Sequence, residues 1–236
     1  MKKLFAVILA LALCLSAFAL AEEVMSYADY LAAEIDDEVT VETYVQATQG
    51  WWDDNGTGKV TIYTQNEEGA YFLYNAVATE EEAAKLVPGT KIKVTGYKAE
   101  WSGEVEIVDA TFEIEEGEYI AEPVDVTELL GTDALIEKQN QKVAFKGMTV
   151  EAINDEGAAF LYNWDGSGDE GSDLYFKVSA NGAEYTFTVE SYLCGPGSDA
   201  YEAVKALKVG DVVDMEGFLY WYEGVNPHIT AVTPAA

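Results

Sequence analysis

The stretch from Leu86 to Gly103 returns 121 residues later, from Leu207 to Gly224. Both copies run from a helix end through a glycine turn (Gly89, Gly210) into an alternating strand. Each strand carries one glycine (Gly96, Gly217) and ends in an aromatic hairpin that closes on Gly103 or Gly224. A repeat of this kind constrains a fold more than composition does, because each copy must build the same supersecondary unit. Two copies of one small β-module are therefore expected.

The residues between the copies fill in the module. Val39–Gln46 is rich in β-branched and aromatic residues and reads as a strand, with a break in pattern at Glu42–Thr43 that suggests a bulge. Residues 49–58 hold several turn signals and read as a loop, and Lys59–Gln65 and Ala70–Asn75 read as strands two and three. Thr79 with Glu82 forms a capping box for a helix to Leu86, which Pro88 and Gly89 stop. Thr90–Tyr97 and Glu104–Ile114 complete five strands, the last with an inward set that shifts between Ile107 and Val108. The second copy starts at Lys142, carries an insertion before its second strand, and shows a type I′ hairpin at Asn181–Gly182. Ala158–Asn163 inside that insertion looks like Ala70–Asn75 but falls at a different place in its module, so the likeness is read as chance.

The order is strand, strand, strand, helix, strand, strand. With the Gly89 turn, the alternating fourth strand around Gly96 and the hairpin ending at Gly103, it resembles the five-stranded Greek-key barrel called the OB-fold over Glu38–Glu115. It is most similar to the OB-like modules attached to secreted bacterial nucleases and surface proteins. The expected fold class is all-β, with two tandem five-stranded OB-like barrels, each with a short helix between strands three and four. The expected boundaries are 1–21 for a signal peptide, 22–37 for an N-terminal helix, 38–116 for module one, 117–140 for a packed linker and 141–236 for module two.

The signal peptide follows from Lys2 and Lys3, the apolar run Leu4–Phe18 and the Ala19-Leu20-Ala21 cleavage site, and implies a secreted chain. The run is too short and wrongly flanked for a membrane span. Ser26 with Asp29 opens the N-terminal helix, whose Tyr27, Tyr30 and Leu31 are expected to pack as a lid on module one. Cleavage would leave Cys194 as the one thiol, so no internal disulfide is expected, and no cationic neighbour in sequence would activate it.

The chain holds 13 Lys, no Arg and 43 acids, a net charge of −30. Such a field repels polyanions. On this ground nucleic acid is disfavoured as a partner.

All five Trp fall on the two loops that frame an OB ligand face: Trp51, Trp52 and Trp101 in module one, Trp164 and Trp221 in module two. Trp suits stacking, though small barrels also use such rings as plugs. With Gln65, Glu100, Asp165 and Tyr222 as polar and aromatic neighbours, these form two candidate ligand sites, one per module. The acids of residues 165–173 resemble a calcium loop, but position twelve from Asp165 is Phe176 and no helices flank it. No metal or cofactor is expected. His228, the lone His, sits on a predicted strand, and no Ser-His or Cys-His arrangement can be built. The resulting expectation is a secreted, non-catalytic binding or adhesion protein that contacts a glycan or peptide through aromatic loops. A single-stranded nucleic-acid-binding OB module and a structural or assembly component are the alternatives.

Overall fold

The computed structural model describes residues 23–235; the expected signal peptide lies outside the described residues. Helix α1 (Tyr27–Ala32) comes first, with Ser26 Oγ accepting the Asp29 N–H. Strands β1 (Glu38–Thr48), β2 (Trp52–Asp54), β3 (Thr57–Gln65) and β4 (Ala70–Val77) follow. Helix α2 (Glu80–Ala83) and strands β5 (Thr90–Trp101) and β6 (Glu104–Glu118) complete the first barrel. Its strands run β1-β5-β6-β4-β3, and β3 returns to β1 to close the ring. Only β4 and β6 pair in parallel. Closure removes the free edges that an open sheet would leave.

The linker contributes β7 (Val124–Asp125) and two 3₁₀ turns, Thr127–Leu129 and Asp133–Lys138. The second barrel then holds β8 (Lys142–Glu151), β9 (Phe160–Tyr162), β10 (Leu174–Ala180) and β11 (Ala183–Val189). Helix α3 (Asp199–Ala206) leads to β12 (Val212–Phe218) and β13 (His228–Pro234). The ring order β8-β12-β13-β11-β10, closed by β10 on β8, repeats that of the first barrel. The fold is thus nearly all-β, with OB topology in both halves.

The repeat glycines are explained by close approach. A Cβ on Gly96 would lie 2.7 Å from Ile107 Cγ2 and 2.8 Å from Val108 O. One on Gly217 would lie 2.3 Å from His228 O. The shift expected in β6 is present: Thr95 pairs with Thr111 and Tyr97 with Val108, so Asp109 and Ala110 together face Gly96. The break expected in β1 at Glu42–Thr43 occurs instead between Val45 and Ala47. That is where β1 leaves β5 for β3, with Tyr44 paired to both.

Residues 49–58 are not all loop. Asn55 and Gly56 adopt positive φ (55° and 94°), and the tight turn folds β2 back onto β3. Strand β9 lies on β10 in the same way, so the loop after the first strand returns as a short flanking strand in both barrels.

Each barrel has its own core and its own plug. Tyr30 packs edge-on against Tyr71 under barrel one, and Lys98 Nζ donates to the carbonyls of Tyr30, Leu31 and Ala33. The Leu31 side chain points to solvent, against expectation, because the lid is held by its tyrosines and its carbonyls. Val126, Leu130 and Leu135 of the linker join the core of barrel two. The linker is therefore packed, as its apolar residues suggested.

The barrels meet through a third, smaller cluster. Tyr63 and Phe72 of barrel one pack against Phe218 of barrel two, with Leu193 and Tyr220 beside them. The Tyr63 and Phe218 rings stack at 4.6 Å and 25°. Every residue of β3 from Val60 to Gln65 is buried, as are Ala70–Leu73 of β4. Both faces of these strands are covered, one by the barrel interior and one by the second barrel.

The close approach at the repeat glycines predicts a stability difference. Gly217→Ala should destabilise the chain by about 2 kcal/mol or more in urea unfolding. Gly50→Ala, where a Cβ meets nothing within 4 Å, should stay within about 0.5 kcal/mol of the native chain. Equal effects at the two positions would overturn the close-approach account.

Candidate functional site

The joint turns the aromatic loops of both barrels toward one another. Between them lies a cavity of about 1070 Å³. Barrel one supplies Trp51, Trp52, Tyr74 and Trp101 to its walls, and barrel two supplies Trp164, Tyr175, Tyr192 and Tyr222. Phe72, Tyr220 and His228 form the floor next to the joint. The expectation of two sites, one per module, is corrected: the structure makes one shared cleft.

Several of these rings are free to meet a ligand. Trp164 is 75% exposed, Tyr192 74% and Trp101 60%, so none of the three plugs a barrel. Trp101 and Tyr222 occupy equivalent positions of the repeat and both line the cleft. Their hairpins turn the same way, through Ser102 and Glu223 at φ 51° and 54°. The two tips also touch, where Glu223 N–H donates to Ser102 O at 2.8 Å.

The other expected site residues are placed as follows. Trp51 is half-buried and tied to the wall, its ring N–H donating to Ala78 O at 2.9 Å. Trp52 stands at the mouth, with Lys59 Nζ 5.8 Å from its ring centroid and Lys59 paired to Asp54. Glu100 is exposed but lies outside the lining. Asp165 is exposed and caps its own turn by accepting the Ser167 N–H. Gln65 and Trp221 are spent on the joint. Gln65 Oε1 accepts the Lys142 N–H at 2.8 Å, and the Trp221 ring lies over Gly103. Both are therefore withdrawn as ligand contacts.

The carboxylates that resembled a calcium loop are directed at protein donors. Glu170 accepts from Lys205 Nζ and Tyr162 Oη, and Asp173 Oδ1 accepts the Ser191 N–H and hydroxyl. Among the described residues no three such side chains are grouped to share a metal ion. Burial, with the Glu190 charge second, pushes the Cys194 thiol up to about 11, which keeps it protonated and inert.

Residues that sequence reasoning missed complete the cleft: Tyr74, Tyr175, Tyr192, Tyr220, Asn226 and Glu190. One signal pointed to part of this. Ala70–Leu73 is apolar at both strand parities, which marks a strand covered on both faces. Tyr192 and Glu190 had no local signal, because only docking of the barrels brings them to the site. Glu190 is the one carboxylate among the lining residues, and no Lys is among them. Burial and then Asp173 raise its pKa to about 7, while its Oε2 accepts the Leu193 N–H at 2.8 Å.

His228 is held in the joint by Tyr63 and Tyr220. Gln49 Nε2 donates to Tyr63 Oη at 3.3 Å, and Tyr63 Oη and His228 Nδ1 share a hydrogen bond at 2.7 Å. The imidazole stacks on Tyr220 at 4.2 Å, and burial pulls its pKa down to about 3, so it is neutral.

The joint also buries a carboxyl. Glu104 is fully covered, Oε2 accepts the Trp221 N–H at 2.8 Å, and Oε1 has no partner among the described residues. Burial drives its pKa up to about 9 from 4.5.

No family model matches the chain, and no curated protein matches it. Solved structures do. A murine DNA-binding protein bound to double-stranded DNA is 11% identical, with 84% of this chain and 96% of that chain covered at TM-score 0.38. The Ifi202 HINa domain in complex with double-stranded DNA is 11% identical, covering 86% and 98% at 0.35. A replication protein A heterotrimer bound to single-stranded DNA is 11% identical, covering 85% and 49% at 0.34. At these identities and scores the fold rests on this chain's own strand pairings. The matches are HIN domains and replication protein A, in place of the bacterial nucleases and surface proteins that the sequence suggested. The expectation against a nucleic-acid partner is corrected as well. Proteins in complex with DNA are among the similar structures. A whole-chain charge also says little about a cleft that holds a single carboxylate.

The buried acid gives the joint a pH dependence. Between about 4.5 and 9 the folded chain holds a proton on Glu104 that the unfolded chain has lost, so stability falls as pH rises through that window. His228 acts at the other end, where stability falls as pH drops from about 6.5 toward 3. Glu104→Gln keeps an acceptor for Trp221 and cannot ionise. Its urea midpoint should fall less than that of the native chain as pH approaches about 9, and parallel curves would contradict this.

Proposed function

We propose that the chain is a non-catalytic binding protein whose two OB barrels form one stacking cleft, and that its ligand is a single-stranded nucleic acid taken bases first. The observation that carries this reading is the convergence of solvent-facing rings from both barrels, Trp52, Tyr74 and Trp101 against Trp164, Tyr192 and Tyr222. Bases stack on such rings without sequence preference, at about 1–3 kcal/mol each. The lining has no cation, so the phosphates must face outward to solvent while the bases enter. Repulsion from the remaining acids is screened beyond about 8 Å at physiological ionic strength. Stacked bases supply the attraction that opposes what repulsion is left.

This mode has its own salt signature. Binding through phosphates weakens steeply with salt as counterions are released. Binding by stacking to an acidic protein should be flat or strengthen as salt screens the repulsion. Tryptophan fluorescence titrations with oligothymidylate are expected to show binding that does not weaken from low to moderate salt. Trp101→Ala and Trp164→Ala should each cut affinity about tenfold, as loss of one stacked base requires, and Glu100→Ala should leave it unchanged. Absence of oligonucleotide binding with retention on a polysaccharide would replace the ligand by a glycan in the same cleft. A secreted setting belongs to this proposal, and recovery of the chain from culture medium beginning at Glu22 is its check.

A further inference from the structure

The cleft does not end at its own walls. Trp164, Tyr175, Tyr222 and Asn226 also line an adjoining groove of about 410 Å³, which crosses β9, β10 and β11 of barrel two. Leu161, Lys177 and Thr186 floor this groove. The corresponding face of barrel one is closed, because Tyr63 and Phe72 lie under Phe218 and Tyr220. A ligand seated between the barrels can therefore be continued over barrel two and not over the same face of barrel one. Cleft and groove together exceed the roughly 300–1,000 Å³ that a single small ligand fills. The groove also holds Lys177, a cation where the cleft has none, steadied at 3.1 Å by Glu184.

We infer that the site takes a linear polymer of ring-bearing units, which enters at the Trp52–Trp101 lip, passes Tyr175 and Trp164, and runs out along the barrel-two groove. The inference rests on the stacking reading above and adds the ligand's length and the side on which it leaves. It gives the two ends of the track different chemistry. The lip is built of Trp rings with the Lys59–Asp54 pair behind them, and the far end is a strand surface of Leu161, Thr186 and Lys177, the last paired to Glu184.

Length dependence tests it. Oligothymidylates of about three and about twelve nucleotides bracket the lower range that one OB barrel engages. The longer strand should bind at least about tenfold more tightly than the shorter one. Thr186→Glu, an exposed strand position that lines the groove and not the cleft, places a carboxylate on the exit path. It should bring the longer strand's affinity down toward that of the shorter strand and leave the shorter one unchanged. Equal affinity for both lengths, or an equal loss for both in the variant, overturns the inference while leaving the stacking reading intact. If no oligonucleotide of either length binds, the nucleic-acid reading falls. Glucose oligomers of about two and about six units then decide the polymer inference by the same length criterion, and no binding in either series overturns both.

Discussion

The stacked contact of Tyr63 on Phe218, pinned by the Tyr63–His228 hydrogen bond, is the constraint on which the rest of the structure depends. Aromatic pairs of this kind contribute about 0.5–1.5 kcal/mol beyond the area they bury. Here they are backed by directional contacts that fix one orientation. Gln65 meets the first residue of β8, Glu104 meets Trp221, and Asn140 Nδ2 donates to Val105 O. Remove that orientation and the aromatic loops no longer face each other. The cleft is a property of the joint before it is a property of either barrel.

The same joint explains how an acidic protein can present an attractive surface. Its floor is made of uncharged groups: a neutral imidazole, Phe72 and Tyr220. Its walls are rings and amides, and the single lining carboxylate has its pKa raised toward neutrality by burial. Charge is spread over the outer surface, where water and ions screen it. What a ligand meets is set by the few ångströms of lining, and those favour flat faces over formal charges.

Much of the fold was legible in the chain, because the signals for it are local. Alternation set the strands, Asn181–Gly182 set a hairpin, and Gly96 and Gly217 marked the two places where backbones approach too closely for a side chain. The site was legible only in part. Trp52, Trp101, Trp164 and Tyr222, expected on loops, all line the cleft, Trp52 and Trp101 from the ends of β2 and β5, and the repeat itself paired Trp101 with Tyr222. Gln65 and Trp221 looked identical in kind but are consumed by the joint, a distinction that depends on contacts across more than 70 residues of sequence. Tyr192 escaped notice for the converse reason, since nothing near it in the chain predicts what lies opposite. The charge count misled because it averages over the surface and ignores where the acids are.

Coverage of β3 and β4 by the second barrel has one more implication. Two copies of a module ordinarily remain separable, and each can be inherited, lost or joined to something else. Here a gene fragment ending after β6 would yield a barrel with Tyr63 and Phe72 bare on its outer surface, an adhesive strip with no cover. The repeat records two similar halves, but the smallest piece that evolution can move without exposing that strip is the whole pair.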